Sequence, residues 1–267
     1  MFSLGLKAQY SEQLQFYSLD YFLMNRILFK DVYANTTELM KSKVKNIKVY
    51  DDKNNLINET NVDIEGRVAS IKNQVVNINT AMESYKAQYD RNNNLIELYS
   101  SLVNYKDNDY CRFTYIGSTL ISYDYFLKGK ELFTHCDMRH DNTKDKNLLT
   151  GYDSKLWEGD SIPYYVNFKY DIYNRLFDIR AMGDFQYIYQ IQYAGDSIKI
   201  MDGNGSGYEI YVIEDNTIKQ HIIYSAALSY EAKRTFHYDE SGLVDYISIE
   251  DTRGNKYKHR FQYEYYH

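Results

Sequence analysis

Proline is nearly absent from this sequence, with one residue in 267, and there are only two cysteines and one tryptophan. No apolar run approaches the roughly 20 residues that a membrane-spanning helix needs, which excludes such a helix. Basic residues are not in excess either: 31 Lys and Arg stand against 37 Asp and Glu, a formal net charge of −6. Because an acidic chain gains little from phosphate contacts, we predict that nucleic acid is not a partner.

What the sequence does contain is typical of a globular protein with a sizeable core: 44% hydrophobic and 25% charged residues, with 31 tyrosines. Residues 1–9, MFSLGLKAQ, resemble the truncated end of a bacterial secretory signal with cleavage after Ala8. They predict an exported protein, periplasmic or associated with the cell surface. The apolar run is shorter than a full signal and no basic residue precedes it, so a plain apolar N-terminus is the alternative.

Residues 10–42 are predicted to form one helix and a linker. An apolar face recurs there at three- and four-residue steps, through Leu14, Tyr17, Tyr21, Met24 and Leu28.

From residue 43 to 267 the apolar period changes to two, which predicts β-strands. Tyr257, Tyr263 and Tyr265 alternate with polar residues, and Tyr187, Tyr189 and Tyr193 follow the same pattern. Short Asn, Gly and Asp turns predict antiparallel hairpins. The fold class is therefore mainly β: an antiparallel meander forming a curved or twisted sheet, with one N-terminal α-helix. Residues 137–161 are polar and are predicted to form a long insertion in this domain.

A seven-residue pattern recurs along the β region: an aromatic residue, Asp, two variable residues, Asn or Gly, one variable residue, and Leu or Val. The copies are Tyr50–Leu56, Tyr89–Leu95, Tyr170–Leu176 and Tyr238–Val244, with Val62–Val68 as a variant. The Asp side chain can bond the turn backbone, and Asn or Gly tolerates a positive φ. The pattern resembles the YD repeats of the bacterial RHS family, in which each repeat makes a β-hairpin. With few and irregular copies, the resemblance implies a meander of such hairpins and not a closed shell.

Cys111 and Cys136 flank the same predicted strand, Thr119–Leu127. Counting residues from the turns places Cys111 opposite Asp124 and Cys136 opposite Ile121 or Tyr123, on opposite faces. Two strand spacings, roughly 9.5 Å, also separate the cysteines. We predict two thiols and no disulfide.

Two groups of residues are candidate metal ligands. Asp202, Asn204 and Ser206 have the spacing of the first half of a calcium-binding EF-hand loop, but no Glu stands at the twelfth position. His135, Asp137 and His140 have side chains of the kind that bind zinc. A glycine-rich turn and a solvated loop edge are the respective alternatives, so no metal or other cofactor is predicted.

No linear catalytic motif is present, and no catalytic residue is predicted. The favoured hypothesis is a non-enzymatic protein-binding or scaffold module of the bacterial cell envelope, whose partner is another envelope protein. Tyrosine offers a large apolar ring with a polar tip, which suits binding surfaces. A carbohydrate-binding or carbohydrate-processing protein is one alternative, and an immunity-type protein that neutralises a toxin is the other. The predicted binding surface consists of Tyr187, Tyr189, Tyr193, Tyr257, Tyr263 and Tyr265.

Overall fold

The structure is a computed structural model that describes residues 19, 23, 24, 27, 28, 36–73, 83–102, 108–127, 131–141, 148–156, 164–182, 188–203 and 205–267. One short helix, α1, covers Thr36–Lys41. The five described residues before it are also helical; Met24, on the predicted apolar face, is buried, but so are Leu19 and Leu23, which are not on that face. Leu14, Tyr17, Tyr21 and residues 1–9 lie outside the described residues. None of the described helical segments has the length and apolar character needed to span a membrane.

The remaining elements are strands that follow one another along the chain. They are β1 Val44–Tyr50, β2 Leu56–Val62, β3 Val68–Asn73, β4 Glu83–Tyr89, β5 Leu95–Leu102, β6 Asn108–Ile116, β7 Thr119–Leu127, β8 Glu131–Asp141, β9 Leu148–Leu156, β10 Tyr164–Tyr170, β11 Leu176–Met182, β12 Ile188–Ala194, β13 Ser197–Asp202, β14 Gly207–Glu214, β15 Thr217–Ser225, β16 Tyr230–Tyr238, β17 Val244–Asp251 and β18 Lys256–Tyr265.

All 18 strands belong to one antiparallel sheet, and its ends meet. Strand β1 pairs with β2 on one side and with β18 on the other, where Val49 lies opposite Phe261. The sheet is therefore closed, a β-barrel, and the prediction of an open curved or twisted sheet is wrong. The pairing of the first and last strands leaves β18 with a neighbour on both sides, so the C-terminal alternation does not mark an edge strand. The mainly β, antiparallel part of the prediction is confirmed.

The chain divides into two compact units. The first comprises Met1–Glu83, Gln192–Met201 and Gly205–His267, and the second comprises Ser84–Ile191 and Asp202–Asn204. The first unit has an apolar core built from α1 and its strands: Leu39, Val44, Ile47, Val49, Val62, Leu243, Ile247, Ile249 and Phe261. In the second unit the alternation in β10 places Val166 and Phe168 on the buried face.

The repeat forms the predicted hairpin turns with one recurring geometry. In each turn Asp Oδ1 accepts hydrogen bonds of 2.8–3.1 Å from the backbone N–H groups two and four residues later. The Asn or Gly of the pattern has a φ between 58° and 81°. A further turn of this kind, Asp251–Asn255, was missed because Glu250 stands in the aromatic position.

The predicted insertion at 137–161 is wrong where the structure describes it. Strand β8 continues to Asp141, and β9 covers Leu148–Leu156. The polar residues misled the prediction because several of them lie on the exposed face of paired strands, where polar side chains are normal. Residues 142–147 and 157–163 lie outside the described part of the chain.

Candidate functional site

A row of charged side chains crosses strands β5 to β9 in the second unit. We call it the charged row; its members lie directly opposite one another in successive registers: Glu97, Arg112, Asp124, His135 and Lys155. Side chains that face each other across neighbouring strands are close enough to interact, and opposite charges stabilise such pairs. The alternation of Glu, Arg, Asp and His therefore builds a continuous polar strip on the exposed face.

His135 is held between two carboxylates, that of Asp124 in this row and that of Asp137, two residues along β8. Its Nδ1 lies 2.6 Å from Asp124 Oδ1, and its Nε2 lies 3.0 Å from Asp137 Oδ1. Partial burial lowers the pKa of His135. The hydrogen bonds and charges of Asp124 and Asp137 together raise it by more than burial lowers it, so the pKa is above its ordinary value. Lys155 Nζ, 3.6 Å from Asp137 Oδ2, supplies another positive charge nearby.

The predicted metal ligands are only partly brought together. His135 and Asp137 are in contact, as their shared strand face predicts, but His140 Nε2 lies 2.7 Å from the backbone oxygen of Leu120. His140 is three residues beyond Asp137, so the alternation of β8 places it on the opposite face of the sheet. Within the described residues, no group of three or more His, Cys, Asp or Glu side chains is arranged to hold a metal ion.

An aromatic stack flanks the charged row on the same face. The ring of Tyr110 lies between those of Tyr99 and Phe126, with centroids 5.3 and 4.4 Å away and nearly parallel planes. The guanidinium carbon of Arg112 is 5.7 Å from the Tyr110 ring and 5.4 Å from the Phe126 ring. Glu97 accepts a 2.5 Å hydrogen bond from the Tyr99 hydroxyl, which raises the pKa of Tyr99. The stack thus holds Arg112 at a defined place on the surface.

A cavity of about 300 Å³ opens beside Arg112. Asp90, Glu97, Thr114 and Tyr115 are among the residues that line it with Arg112. It lies next to two turns that are tied together, since Asn94 Nδ2 donates a 2.9 Å hydrogen bond to the carbonyl of Gly117. Arg112 therefore lies beside an open surface depression, next to two turns that are joined by a hydrogen bond.

The first unit carries two smaller stacks of the same kind, each with a tyrosine ring stacked on a ring of the neighbouring strand and a cation close to it. Tyr208 stacks on Tyr224 at 4.9 Å, and Lys199 Nζ lies 4.6 Å from the Tyr208 ring. Tyr246 stacks on His237 at 4.0 Å, and Lys258 Nζ lies 3.2 Å from the Tyr246 ring. Tyrosine rings stacked on a cross-strand neighbour and approached by a cation are thus a repeated surface feature.

The tyrosines predicted as a binding surface have different environments. Tyr257 and Tyr265 are 37% and 48% exposed, but the Tyr263 hydroxyl donates a 2.7 Å hydrogen bond to the carbonyl of Val244. Burial raises the pKa of Tyr263 strongly and that of Tyr257 to about 12. Tyr189 lies opposite the fully buried Ile179.

Tyr193 is half-buried, and Tyr187 lies outside the described residues. The hydroxyls of Tyr170, Tyr238 and Tyr266 donate to backbone carbonyls as the Tyr263 hydroxyl does. Part of the tyrosine content is therefore structural.

The glycine-rich segment predicted as half of a calcium loop connects β13 to β14. Asp202 ends β13, Gly207 begins β14, and Met201 lies opposite Tyr208, which is a β-hairpin. A Cβ on Gly207 would lie 2.8 Å from the carbonyl oxygen of Tyr224, so this strand passes close to its neighbour. Asn204 lies outside the described residues. Asp202, Asn204 and Ser206 therefore stay weak candidate ligands only, at a site where no metal was predicted.

Cys111 and Cys136 are not joined by a disulfide, as predicted, but the predicted reason was partly wrong. Cys111 lies opposite Tyr125 and Cys136 opposite Tyr123, so the two cysteines share a face of the sheet. Strand β7 still separates them. Cys111 Sγ lies 3.0 Å from the Tyr123 hydroxyl, and burial raises the pKa of Tyr123 well above its ordinary value.

Sequence reasoning missed a polar cluster on the buried face of the first unit. Glu209 Oε2 accepts a 2.8 Å hydrogen bond from the Tyr211 hydroxyl and lies 3.1 Å from His221 Nε2. Arg234 Nη1 lies 3.5 Å from His221 Nδ1, and the Tyr211 and His221 rings stack at 4.2 Å. No sequence signal marked them, because the residues that alternate with Glu209, Tyr211 and His221 are themselves half-buried and largely apolar.

No family model matches the chain, and no curated protein matches it. Among solved structures it is similar to a porin-like protein from Bacteroides uniformis, with 10% identity, coverage of 84% of this chain and 97% of that chain, and a TM-score of 0.44. It is also similar to the TcdB2-TccC3-Cdc42 structure, with 13% identity, 82% of this chain and a TM-score of 0.29.

The structure of the Photorhabdus luminescens Tc holotoxin pore matches at 11% identity over 85% of this chain, with a TM-score of 0.21. The chain spans only 13% and 17% of the lengths of these two toxin chains. The resemblance to the RHS family stays a prediction.

Proposed function

We propose that this chain is a non-enzymatic protein-binding or scaffold module of the bacterial cell envelope. The observation that carries the proposal is the presentation of Arg112 on the exposed face of the second unit. Its Nε lies 3.4 Å from Glu97, and among the described residues no partner is bonded to its Nη groups. Arginine and tyrosine are the residues that most often dominate protein–protein interfaces. An arginine held by aromatic rings loses little side-chain entropy when it binds.

The way the rings are stacked favours a protein partner over a carbohydrate. A sugar stacks on the open face of an aromatic ring, but Tyr110 is covered on one face by Tyr99 and on the other by Phe126. The surface therefore offers ring edges, phenol hydroxyls and a guanidinium, which suit hydrogen bonds and ion pairs with another protein. Residues 1–9, with their resemblance to a secretory signal, support an exported location for the module.

The test is a mild cross-linking purification of the tagged protein from its native cells, with mass spectrometry of partners and of the N-terminus. We compare wild type with Arg112→Ala and with the control Arg253→Ala, which removes an exposed arginine that lies 5.5 Å from the Tyr230 ring in the first unit. The expected result is an N-terminus processed near Gln9 and an envelope protein recovered with wild type and control but depleted with Arg112→Ala.

Equal recovery with Arg112→Ala would refute this surface as the contact. Saturable glycan binding without a protein partner would favour the carbohydrate alternative, and a co-purifying basic toxin would favour the immunity alternative.

A further inference from the structure

Arg234 is an arginine whose charge has no acidic partner within ion-pair distance among the described residues. It lies on β16 in a register row that runs from Tyr211 and His221 to Ile249 and Tyr257. Tyr211, His221 and Ile249 are 2%, 5% and 3% exposed, so the row belongs to the buried face of the sheet, and Arg234 itself is half-buried there. Burial lowers the pKa of Arg234, although Glu209 opposes this effect from a distance.

The carboxylate of Glu209, which acts on Arg234 from a distance, already has other hydrogen-bonding partners. Glu209 accepts a hydrogen bond from the Tyr211 hydroxyl and contacts His221 at Nε2. Arg234 contacts His221 at the other ring nitrogen, Nδ1. The imidazole therefore lies between Glu209 and Arg234. By contrast, Arg67 Nε is 2.7 Å from Asp63, and Arg180 Nε is 2.8 Å from Asp178. A partly desolvated charge without an ion-pair partner is costly, which makes the half-buried Arg234 a signal for an anion.

The row opens toward solvent at its Tyr257 end. Tyr257 is 37% exposed, and both Tyr257 and His259 interact electrostatically with Arg234. The rings of Tyr257 and His259 lie 5.8 Å apart, and burial, with a smaller contribution from Tyr230, raises the pKa of Tyr257. Arg234 is therefore bordered by aromatic groups with polar tips, which suit an organic ligand better than an isolated inorganic ion.

We propose that Arg234 is the centre of a binding site for a small organic monocarboxylate, distinct from the protein-binding surface around Arg112. The guanidinium fork would hold the carboxylate through two hydrogen bonds, and the rings of Tyr257 and His259 would contact its apolar part. The hydrogen bond to Glu209 and the stacked Tyr211 ring fix the His221 ring that orients Arg234. A single negative charge matches the single cation, because Glu209 repels a doubly charged phosphate.

Binding of benzoate, acetate and inorganic phosphate to the full-length chain tests the proposal, measured by calorimetry and by thermal unfolding. The variants are Arg234→Gln, which removes the charge, and Arg234→Lys, which keeps the charge and removes the fork. The control is Arg260→Gln, an exposed residue of β18 that bonds Asn54. We expect saturable benzoate binding to wild type and control, weakened about tenfold or more in both Arg234 variants. Without ligand, Arg234→Gln should melt no lower than wild type, because it removes an unpaired charge.

Unchanged benzoate binding in Arg234→Gln, or no binding of benzoate to wild type at millimolar concentration, would overturn the site. Phosphate binding as tight as benzoate binding would overturn the assignment to a monocarboxylate. If Arg234→Gln does not fold, Arg234→Lys decides: undiminished benzoate binding in that variant refutes the role of the fork.

Discussion

The guanidinium of Arg139 reaches across strand β9 and donates a 2.7 Å hydrogen bond from Nη2 to the backbone carbonyl of Val166 in β10. Gly151 lies between them, opposite Arg139 in one register and Asn167 in the other. A Cβ on Gly151 would lie 2.0 Å from the Val166 oxygen and 2.8 Å from Arg139 Nη2. The contact between Arg139 and Val166 therefore requires a residue without a side chain at position 151. The same lack of a Cβ lets Gly151 adopt a backbone φ of 147°.

Gly151→Ala is expected to lower the free energy of unfolding by about 3 kcal/mol or more, because the added methyl group forces both the backbone and the Arg139 contact apart. Urea unfolding measures the loss. The matched control is Gly117→Ala in the same unit: its φ is 61°, but nothing lies within 4 Å of the added Cβ. That change should cost only about 1–2 kcal/mol. Equal losses in both variants would show that the close approach at Gly151 is unimportant.

The repeated turns depend on their aspartates. Asp239 Oδ1 accepts hydrogen bonds from the N–H groups of Ser241 and Leu243 and from the Ser241 hydroxyl. Asp239→Ala should therefore reduce the free energy of unfolding by about 1–2 kcal/mol. The control Asp245→Ala removes an exposed aspartate of β17 whose side chain makes no hydrogen bond in the described structure, and should change little. Comparable effects of the two changes would count against the turn geometry as the cause.

These turns were predictable because their conformation is decided within five consecutive residues, by an Asp acceptor and an Asn or Gly with positive φ. The residue opposite Cys111 could not be predicted in this way. A one-residue shift between Thr114 and Tyr115 in the β6–β7 register places Cys111 opposite Tyr125 and not opposite Asp124. Beyond such a bulge, every residue of the strand lies on the face opposite to the one that a regular register predicts. No local sequence pattern indicated this bulge.

Closure of the sheet and the cluster around Arg234 were also beyond sequence reasoning. The pairing of β1 with β18 joins residues about 200 positions apart, so it has no local signal. His221 and Arg234 belong to different strands, and they meet only because the β15–β16 register places them opposite each other. The surroundings of His135 could be predicted only in part. The contact of His135 with Asp137 follows from alternation along one strand, whereas Asp124 comes from the neighbouring strand.

The turn aspartates should also contribute to acid sensitivity. The side-chain hydrogen bond from Asn55 and backbone hydrogen bonds lower the pKa of Asp51, and Asn255 lowers that of Asp251 in the same way. A folded-state pKa below the unfolded value, about 3.9, stabilises the protein above that pH. The contribution is lost as the pH falls through the lower, folded pKa. Asp51→Asn should therefore destabilise the protein at pH 7 and much less at strongly acidic pH.

Urea midpoints of wild type and Asp51→Asn across the acidic range measure this effect. Asp52→Asn is the control, because the neighbouring Asp52 accepts a single hydrogen bond, from the backbone N–H of Lys258, and lies outside the Asp51 turn network. A wild-type advantage over Asp51→Asn that stays constant down to the lowest pH would contradict the linkage.

His135 should have the opposite dependence on pH. Its folded pKa is raised by Asp124 and Asp137 above the unfolded value of about 6.5. The stabilisation is therefore fully present below pH 6.5 and is lost as the pH rises through the folded pKa. Replacing one carboxylate, in Asp124→Asn, should lower the His135 pKa and shrink this dependence, because the 2.6 Å contact would lose its charge.

NMR titration of the His135 ring measures its pKa directly in wild type and in Asp124→Asn. Asp196→Asn, at an exposed turn of the first unit, is the matched control and should leave the His135 titration unchanged. If Asp124→Asn left the His135 pKa in place, the raised value would have to come from Asp137 alone. The double variant Asp124→Asn with Asp137→Asn decides between shared and single control: further lowering in the double variant relative to Asp124→Asn shows that both carboxylates hold the proton on His135.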